Sequence, residues 1–145
     1  AFPDHPIFEI FLPNGLGAVA ETEGLSGVDL LGENIYFSAE QIENNWPVRF
    51  QRTDLRTSSF GNKAKVAGGR GLIHKFEVLQ AADLYWLSDL SNHRFPVQKN
   101  QTSPDKIEVL IEQPKAIKNA TSSGHQKLEK GSLLTLGSGS GGGLL

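Results

Sequence analysis

The stretch WPVRFQRTDLRTSSFGNKAKVAGGRGLIHKFEVL, residues 46–79, decides the fold class because it alternates at both ends and loses all periodicity between them. Trp46, Val48 and Phe50 point one way and Arg49 and Gln51 the other, which is the period of a half-exposed strand. Leu72, His74, Phe76 and Val78 repeat the pattern against Lys75 and Glu77. The intervening RTSSFGNKAKVAGGRG is small, polar and glycine-rich, so a long basic loop near 52–71 is expected to join two strands.

On the N-terminal side, IFEIFL at 7–12 is an apolar run between Pro6 and Pro13 that reads as a strand buried on both faces. The segment NGLGAVAETEGLSGVDLLGEN, 14–34, holds Gly15, Gly17, Gly24, Gly27 and Gly32, too many for a helix interior. Short strands near 16–20 and 27–31 are expected there, with IYF at 35–37 as another. Ser38 stands three residues before Gln41, the capping-box spacing, and AEQIENN reads as a two-turn helix that Pro47 stops.

Beyond the quoted stretch, Leu79, Ala82, Trp86 and Leu90 follow helical spacing and predict the principal helix near 79–91, although Asp83 intrudes into its apolar stripe. IEVLI at 107–111 reads as a strand with Ile107, Val109 and Ile111 inward, and LLTL at 133–136 as a last one. PKAIKNATSSGHQKLEKG between them is polar and turn-rich, and the final GSGSGGGLL is flexible by composition. The expected fold is mainly β, with α+β as the alternative: an antiparallel β-sandwich or barrel-like domain with one principal helix. Residues 1–136 form a single domain in this reading, with 1–15 as an extended arm and 137–145 as a Gly/Ser-rich tail.

The chain of 145 residues contains no cysteine, which removes disulfides, thiolate metal sites and thiol nucleophiles. It contains no methionine and starts at Ala1, which implies processing, by removal of an initiator residue or cleavage from a precursor. No apolar run reaches the roughly 18 residues of a membrane helix, and the N-terminus lacks the basic start of a secretory signal, so a virion or cytoplasmic location is expected.

The net charge of −2 hides a block arrangement. Residues 1–48 carry Asp4, Glu9, Glu21, Glu23, Asp29, Glu33, Glu40 and Glu43 with no Lys or Arg. Arg49, Arg52, Arg56, Lys63, Lys65, Arg70 and Lys75 then follow with only Asp54 opposing them. Such blocks bear on partners and association rather than on fold.

Classical chemistry is thin. The four histidines, His5, His74, His93 and His125, show no metal-ligand spacing, there is no GxSxG elbow, and GGRG at 68–71 precedes a strand where a phosphate loop would follow one. No cofactor is expected. The charge blocks support three readings: a solvated loop balanced by its own chain, phosphate neutralisation on a nucleic acid with phenylalanines stacking on bases, or a basic loop meeting the acidic surface of a neighbouring subunit. The last is the leading expectation: a non-enzymatic structural subunit of a larger assembly, such as a virion or phage tail, head-decoration or connector protein. Its partners are copies of itself or other subunits, with no membrane. Arg49, Arg52, Arg56, Lys63, Lys65, Arg70 and Lys75 would face Glu21 and Glu23 of a neighbour, and Phe8 and Phe11 would supply apolar contact. A nucleic-acid-binding module is the alternative and a small hydrolase the third.

Overall fold

The computed structural model describes residues 1–29, 36–57, 65–87, 106–114, 116–120, 123–142 and 144. Its elements are helix α1 (Ala39–Asn45) and strands β1 (Val48–Leu55), β2 (Leu72–Val78), β3 (Ala82–Trp86), β4 (Glu108–Gln113), β5 (Ala116–Ala120), β6 (Gly124–Leu128) and β7 (Leu133–Gly137). Five strands form an antiparallel sheet in the order β1-β2-β7-β4-β5, and β3 pairs with β6 as a separate ribbon. The mainly-β expectation holds, and among the described residues the strands do not close into a barrel.

The register aligns the apolar alternation of successive strands on one face. Phe76 lies opposite Phe50 and Leu134, and Leu134 opposite Ile111. Val48, Val78, Ile111 and Leu134 are each no more than 2% exposed and form the centre of the core. Ile42 of α1 belongs to this core, and Ala82, Leu84 and Trp86 of the ribbon pack against it together with Phe8 and Ile10. The opposite face carries the ion pairs Arg49–Glu77 and Lys75–Glu112. This is the division between apolar and wet faces that a period of two dictates.

A β-bulge between Phe50 and Arg52 resets that period within β1. Unbulged alternation would place Arg52 on the face of Phe50. With the extra residue Gln51, Thr53 pairs with His74 and Leu55 with Leu72, while Arg52 and Asp54 turn outward and bridge each other at 3.0 Å. The bulge therefore turns a hydroxyl to the side of Phe50, where it remains exposed beside a histidine.

The helix expected near 79–91 is corrected: Ala82–Trp86 is strand β3, and residues 88–91 lie outside the described residues. Ala82, Leu84 and Trp86 also satisfy a period of two, which sends Asp83 and Tyr85 outward and removes the conflict that Asp83 caused in a helical stripe. Pairing with β6, invisible in the polar GHQKL, then decides the conformation. α1 forms as its capping box predicts, with Ser38 Oγ accepting from Gln41 N at 3.3 Å and Gln41 Oε1 accepting from Ser38 N at 3.0 Å.

Residues 7–12 form no strand; they pack against their own chain, where Phe8 stacks on Trp46 at 4.9 Å between centroids and Trp46 Nε1 donates to Pro6 O at 2.9 Å. The strands expected near 16–20 and 27–31 reduce, in the described part, to the isolated bridges Asn14↔Val28 and Val19↔Thr22. The loop begins after Leu55, and its residues 58–64, Lys63 among them, lie outside the described residues.

The flexible tail is corrected as well. Ser138 and Ser140 are 1% and 7% exposed, and the segment is woven among three others that carry glycine, near 14–18, 24–28 and 66–71. Gly15 N donates to Gly139 O, Gly69 N to Leu16 O, Gly141 N to Gly69 O and Gly24 N to Ala67 O, all within 2.7–2.9 Å. Chain entropy argues for a loose tail only where no backbone partner exists. Here Gly15, Gly24, Gly68, Gly69 and Gly141 each admit a neighbouring backbone carbonyl that a side chain would exclude, as at the crowded axis of collagen.

Candidate functional site

A broad cleft of about 450 Å³ opens where the N-terminal segment, the start of α1 and the inward faces of β1 and β2 meet. Phe8, Ile10 and Phe11 form one wall, Phe37 and Ile42 another, and Phe50 and Leu72 rise from the sheet. Each is placed by a sequence feature already described: Phe50 and Leu72 by strand alternation, Ile42 by the capped helix, Phe8 by its stack on Trp46. The polar groups are few, which is the usual make-up of a small-molecule site. Glu9, Tyr36, Ser38, Thr53 and His74 contribute them.

Thr53 and His74 are paired in the cleft, where Thr53 Oγ1 lies 3.0 Å from His74 Nδ1 across the β1–β2 ladder. The edge of the His74 ring meets Phe50 at 5.9 Å and 89°. Burial lowers the His74 pKa below its ordinary 6.5, so the imidazole is neutral at pH 7 and able to accept a proton. Among the described residues no carboxylate completes a triad on this pair. The arrangement can hold a flat ring against aromatic walls and present it to a neutral base and a hydroxyl.

One consequence is measurable. The unfolded chain, with His74 at its ordinary pKa, takes up a proton that the folded chain refuses. Stability from this group is thus complete above about pH 6.5 and falls as the pH drops below that value. Denaturation midpoints followed from pH 7.5 to about 5 should fall less steeply for His74→Gln than for the wild type, the variant losing that part of the acid sensitivity.

A second histidine is fully accounted for on the ribbon. His125 Nε2 lies 2.7 Å from Asp83 Oδ1 and stacks on Tyr85 at 4.4 Å, and this hydrogen bond holds the exposed Asp83 carboxyl below its ordinary pKa. His5 Nδ1 lies 3.0 Å from Asn45 O. No group of three or more His, Asp or Glu among the described residues has the geometry to hold a metal ion.

Four of the seven basic residues singled out in the sequence meet acids of their own chain. Arg49 bridges Glu77 at 3.9 Å, Arg52 bridges Asp54 at 3.0 Å, Arg56 bridges Glu108 at 2.9 Å and Lys75 bridges Glu112 at 3.5 Å. None of these acids belongs to residues 1–48. Lys65 and Arg70 are exposed beside the glycine weave, and Glu21 and Glu23 lie on exposed backbone around the Val19–Thr22 turn. The structure brings Phe8 and Phe11 together in the cleft wall. Sequence reasoning passed over Thr53, because the bulge that turns it inward leaves no mark in the alternation. It placed His74 on the apolar face without finding its partner.

A family model described as Hydantoinase B/oxoprolinase matches residues 4–144. No curated protein and no solved structure matches the chain. The family match overturns the expectation of a non-enzymatic structural subunit and with it the virion and phage setting, since the described family is one of enzymes. Charge blocks misled because blockwise composition does not reveal which charges pair within the fold. Among the described residues no helix is long and apolar enough to cross a membrane.

Proposed function

Since this chain belongs to the hydantoinase B/oxoprolinase family, we propose that it takes part in the ring-opening hydrolysis of a cyclic amide and supplies the cleft in which the ring sits. The observation that carries this reading is the family match, which spans residues 4–144. The cleft agrees with it in size and chemistry. A five-membered amide ring with a substituent fits within about 450 Å³, aromatic side chains offer it flat faces, and a neutral imidazole stands ready to take a proton from water.

In this role His74 is the general base and Thr53 orients it, each stating a different expected result. His74→Asn should lower ring opening by about 10²-fold or more, the range for loss of a positioned base. Thr53→Val should lower it less and shift the acid limb of the pH profile, because the imidazole loses a hydrogen-bond partner but remains. Hydantoin and 5-oxoproline incubated with the full chain, with ring opening followed by proton NMR, supply the test. A chain that neither opens nor binds either ring would overturn the proposal.

A further inference from the structure

The sequence contains a single Asn-Gly pair, Asn14–Gly15. Asparagine is a chemically labile residue, and most so before glycine, where no side chain shields the following backbone nitrogen from the asparagine side-chain carbonyl carbon. We infer that Asn14–Gly15 is a latent succinimide site held closed by Gly139, so that the chain is modified there only when the segment after β7 detaches, and then irreversibly.

Gly15 N, the atom that would attack, donates to Gly139 O at 2.9 Å. Asn14 Oδ1, on the group that would be attacked, accepts from Gly139 N at 3.0 Å. The Asn14 backbone is fixed from another side by Val28, its N donating to Val28 O at 3.2 Å and its O accepting from Val28 N at 2.8 Å. Ser138, 1% exposed, anchors the clamp: its hydroxyl donates to Pro13 O at 2.5 Å and accepts from Leu72 N at 2.7 Å. Gly139 has two opposing effects on the reaction. Its N–H draws electron density from the side-chain carbonyl, which favours attack, while its carbonyl oxygen occupies the N–H of the nucleophile, which opposes it. The second effect wins. Removing the Gly15 proton would leave two lone pairs facing each other across 2.9 Å, and the Asn14 side chain cannot swing toward Gly15 N without giving up its own bond.

Reaction therefore proceeds from opened molecules. Hydroxide takes the proton of Gly15 N, the nitrogen bonds to Asn14 Cγ, and the Cγ–Nδ2 bond breaks, Nδ2 leaving as ammonia with a proton from water. Water then adds to either imide carbonyl carbon and breaks its bond to the nitrogen. Opening at Cγ gives aspartate, whereas opening at the backbone carbonyl gives isoaspartate, whose main chain runs through the former side chain and is one carbon longer. The glycine weave has no room for the longer chain, because even a Cβ on Gly15 would stand 2.0 Å from Gly69 O. Pro13 lines the cleft together with Phe8 and Phe11, so the wall that these residues form loses its tether with the same event.

The test holds the full chain at mildly alkaline pH, in buffer and in urea above its unfolding midpoint, and follows position 14 by peptide mass mapping for the exchange of NH2 for OH. Modification in buffer should be at least about 100-fold slower than in urea, since a segment tied by several backbone bonds opens far less often than a frayed end. Ser138→Ala should raise the rate in buffer about tenfold, with a denaturation midpoint that shows it folded, and leave the rate in urea unchanged. Asn14→Gln should stay unmodified in urea, because its longer side chain would have to close a larger ring. On dilution from urea, Asn14→Asp keeps an acceptor for Gly139 N and should refold, whereas the isoaspartate-bearing fraction should not regain the wild-type midpoint. Equal rates in buffer and urea, or a faster rate in buffer, overturn the inference, as does an isoaspartate-bearing chain that refolds with the wild-type midpoint.

Discussion

Gly69→Ala is expected to leave little or no stably folded protein, while Gly17→Ala, fifty-two residues earlier in the same weave, is expected to change stability by less than about 0.5 kcal/mol. A Cβ on Gly69 would stand 1.8 Å from Leu25 O and 2.4 Å from its carbonyl carbon; one on Gly17 would have no neighbour nearer than Gly142 O at 3.7 Å. Neither residue has a left-handed φ, so the difference between them is one of space. Leu25 cannot retreat, because its carbonyl accepts from Leu16 N at 2.8 Å, and Leu16 O in turn accepts from Gly69 N at 2.7 Å. Relief would break at least two backbone hydrogen bonds in a region with few side-chain contacts to replace them. Overpacking alone costs about 1–3 kcal/mol, and lost backbone pairing raises that to a large share of a domain's total stability of about 5–15 kcal/mol. Gly141→Ala, with its Cβ 1.8 Å from Leu16 O, should behave in the same way. Urea denaturation of the three variants decides the matter, and a Gly69→Ala protein with an unchanged midpoint would show that the weave is not part of the folded state.

The weave also marks where sequence reading stopped. Strand alternation made Val48, Phe50, Phe76, Val78, Val109 and Ile111 legible as core, because a sheet with one covered face writes its period directly into the chain. Glycine-rich segments write no period. What they contribute is the lack of a Cβ at points of close approach, and GSGSGGGLL has the same composition whether it is packed between carbonyls or loose in water. β5 and β6 were missed for a related reason: AIKNA is largely exposed and GHQKL buries only Leu128, so neither writes a clear alternation, and only their partners β4 and β3 make them strands. The candidate site was half visible. His74 stood out as a polar residue on an apolar face, whereas Thr53 joined it through a one-residue bulge, and Phe8, Phe11 and Phe37 reached it from segments without regular structure.

Arg56 should prove the most sensitive of the basic residues, and through packing rather than partner binding. It is the cation with the least exposed side chain among the five ion pairs described, at 18%. Its guanidinium donates to Glu108 Oε2 at 2.9 Å, to Ser138 O at 3.0 Å and to Lys106 O, and its backbone N donates to Gly71 O at 2.7 Å. The residue thereby ties the end of β1 to the approach of β4 and to the segment that follows β7. Arg56→Met keeps much of the stem's packing but leaves two backbone carbonyls and Glu108 without their donor. A loss of about 2–3 kcal/mol is expected, less than the sum of the separate bonds because Glu108 is partly hydrated. Arg56→Lys should recover under half of it, since a single ammonium cannot reproduce the planar fork that reaches three acceptors. Glu108→Gln retains an acceptor oxygen and should cost about 1 kcal/mol. Arg52→Met sets the contrast: its bridge to Asp54 is exposed on both sides, and the midpoint should move by less than about 0.5 kcal/mol. Equal losses for Arg52→Met and Arg56→Met would show that the two arginines act alike as surface charges. The expected inequality would instead place Arg56 in the internal frame that holds β1, and with it Thr53, in register against His74.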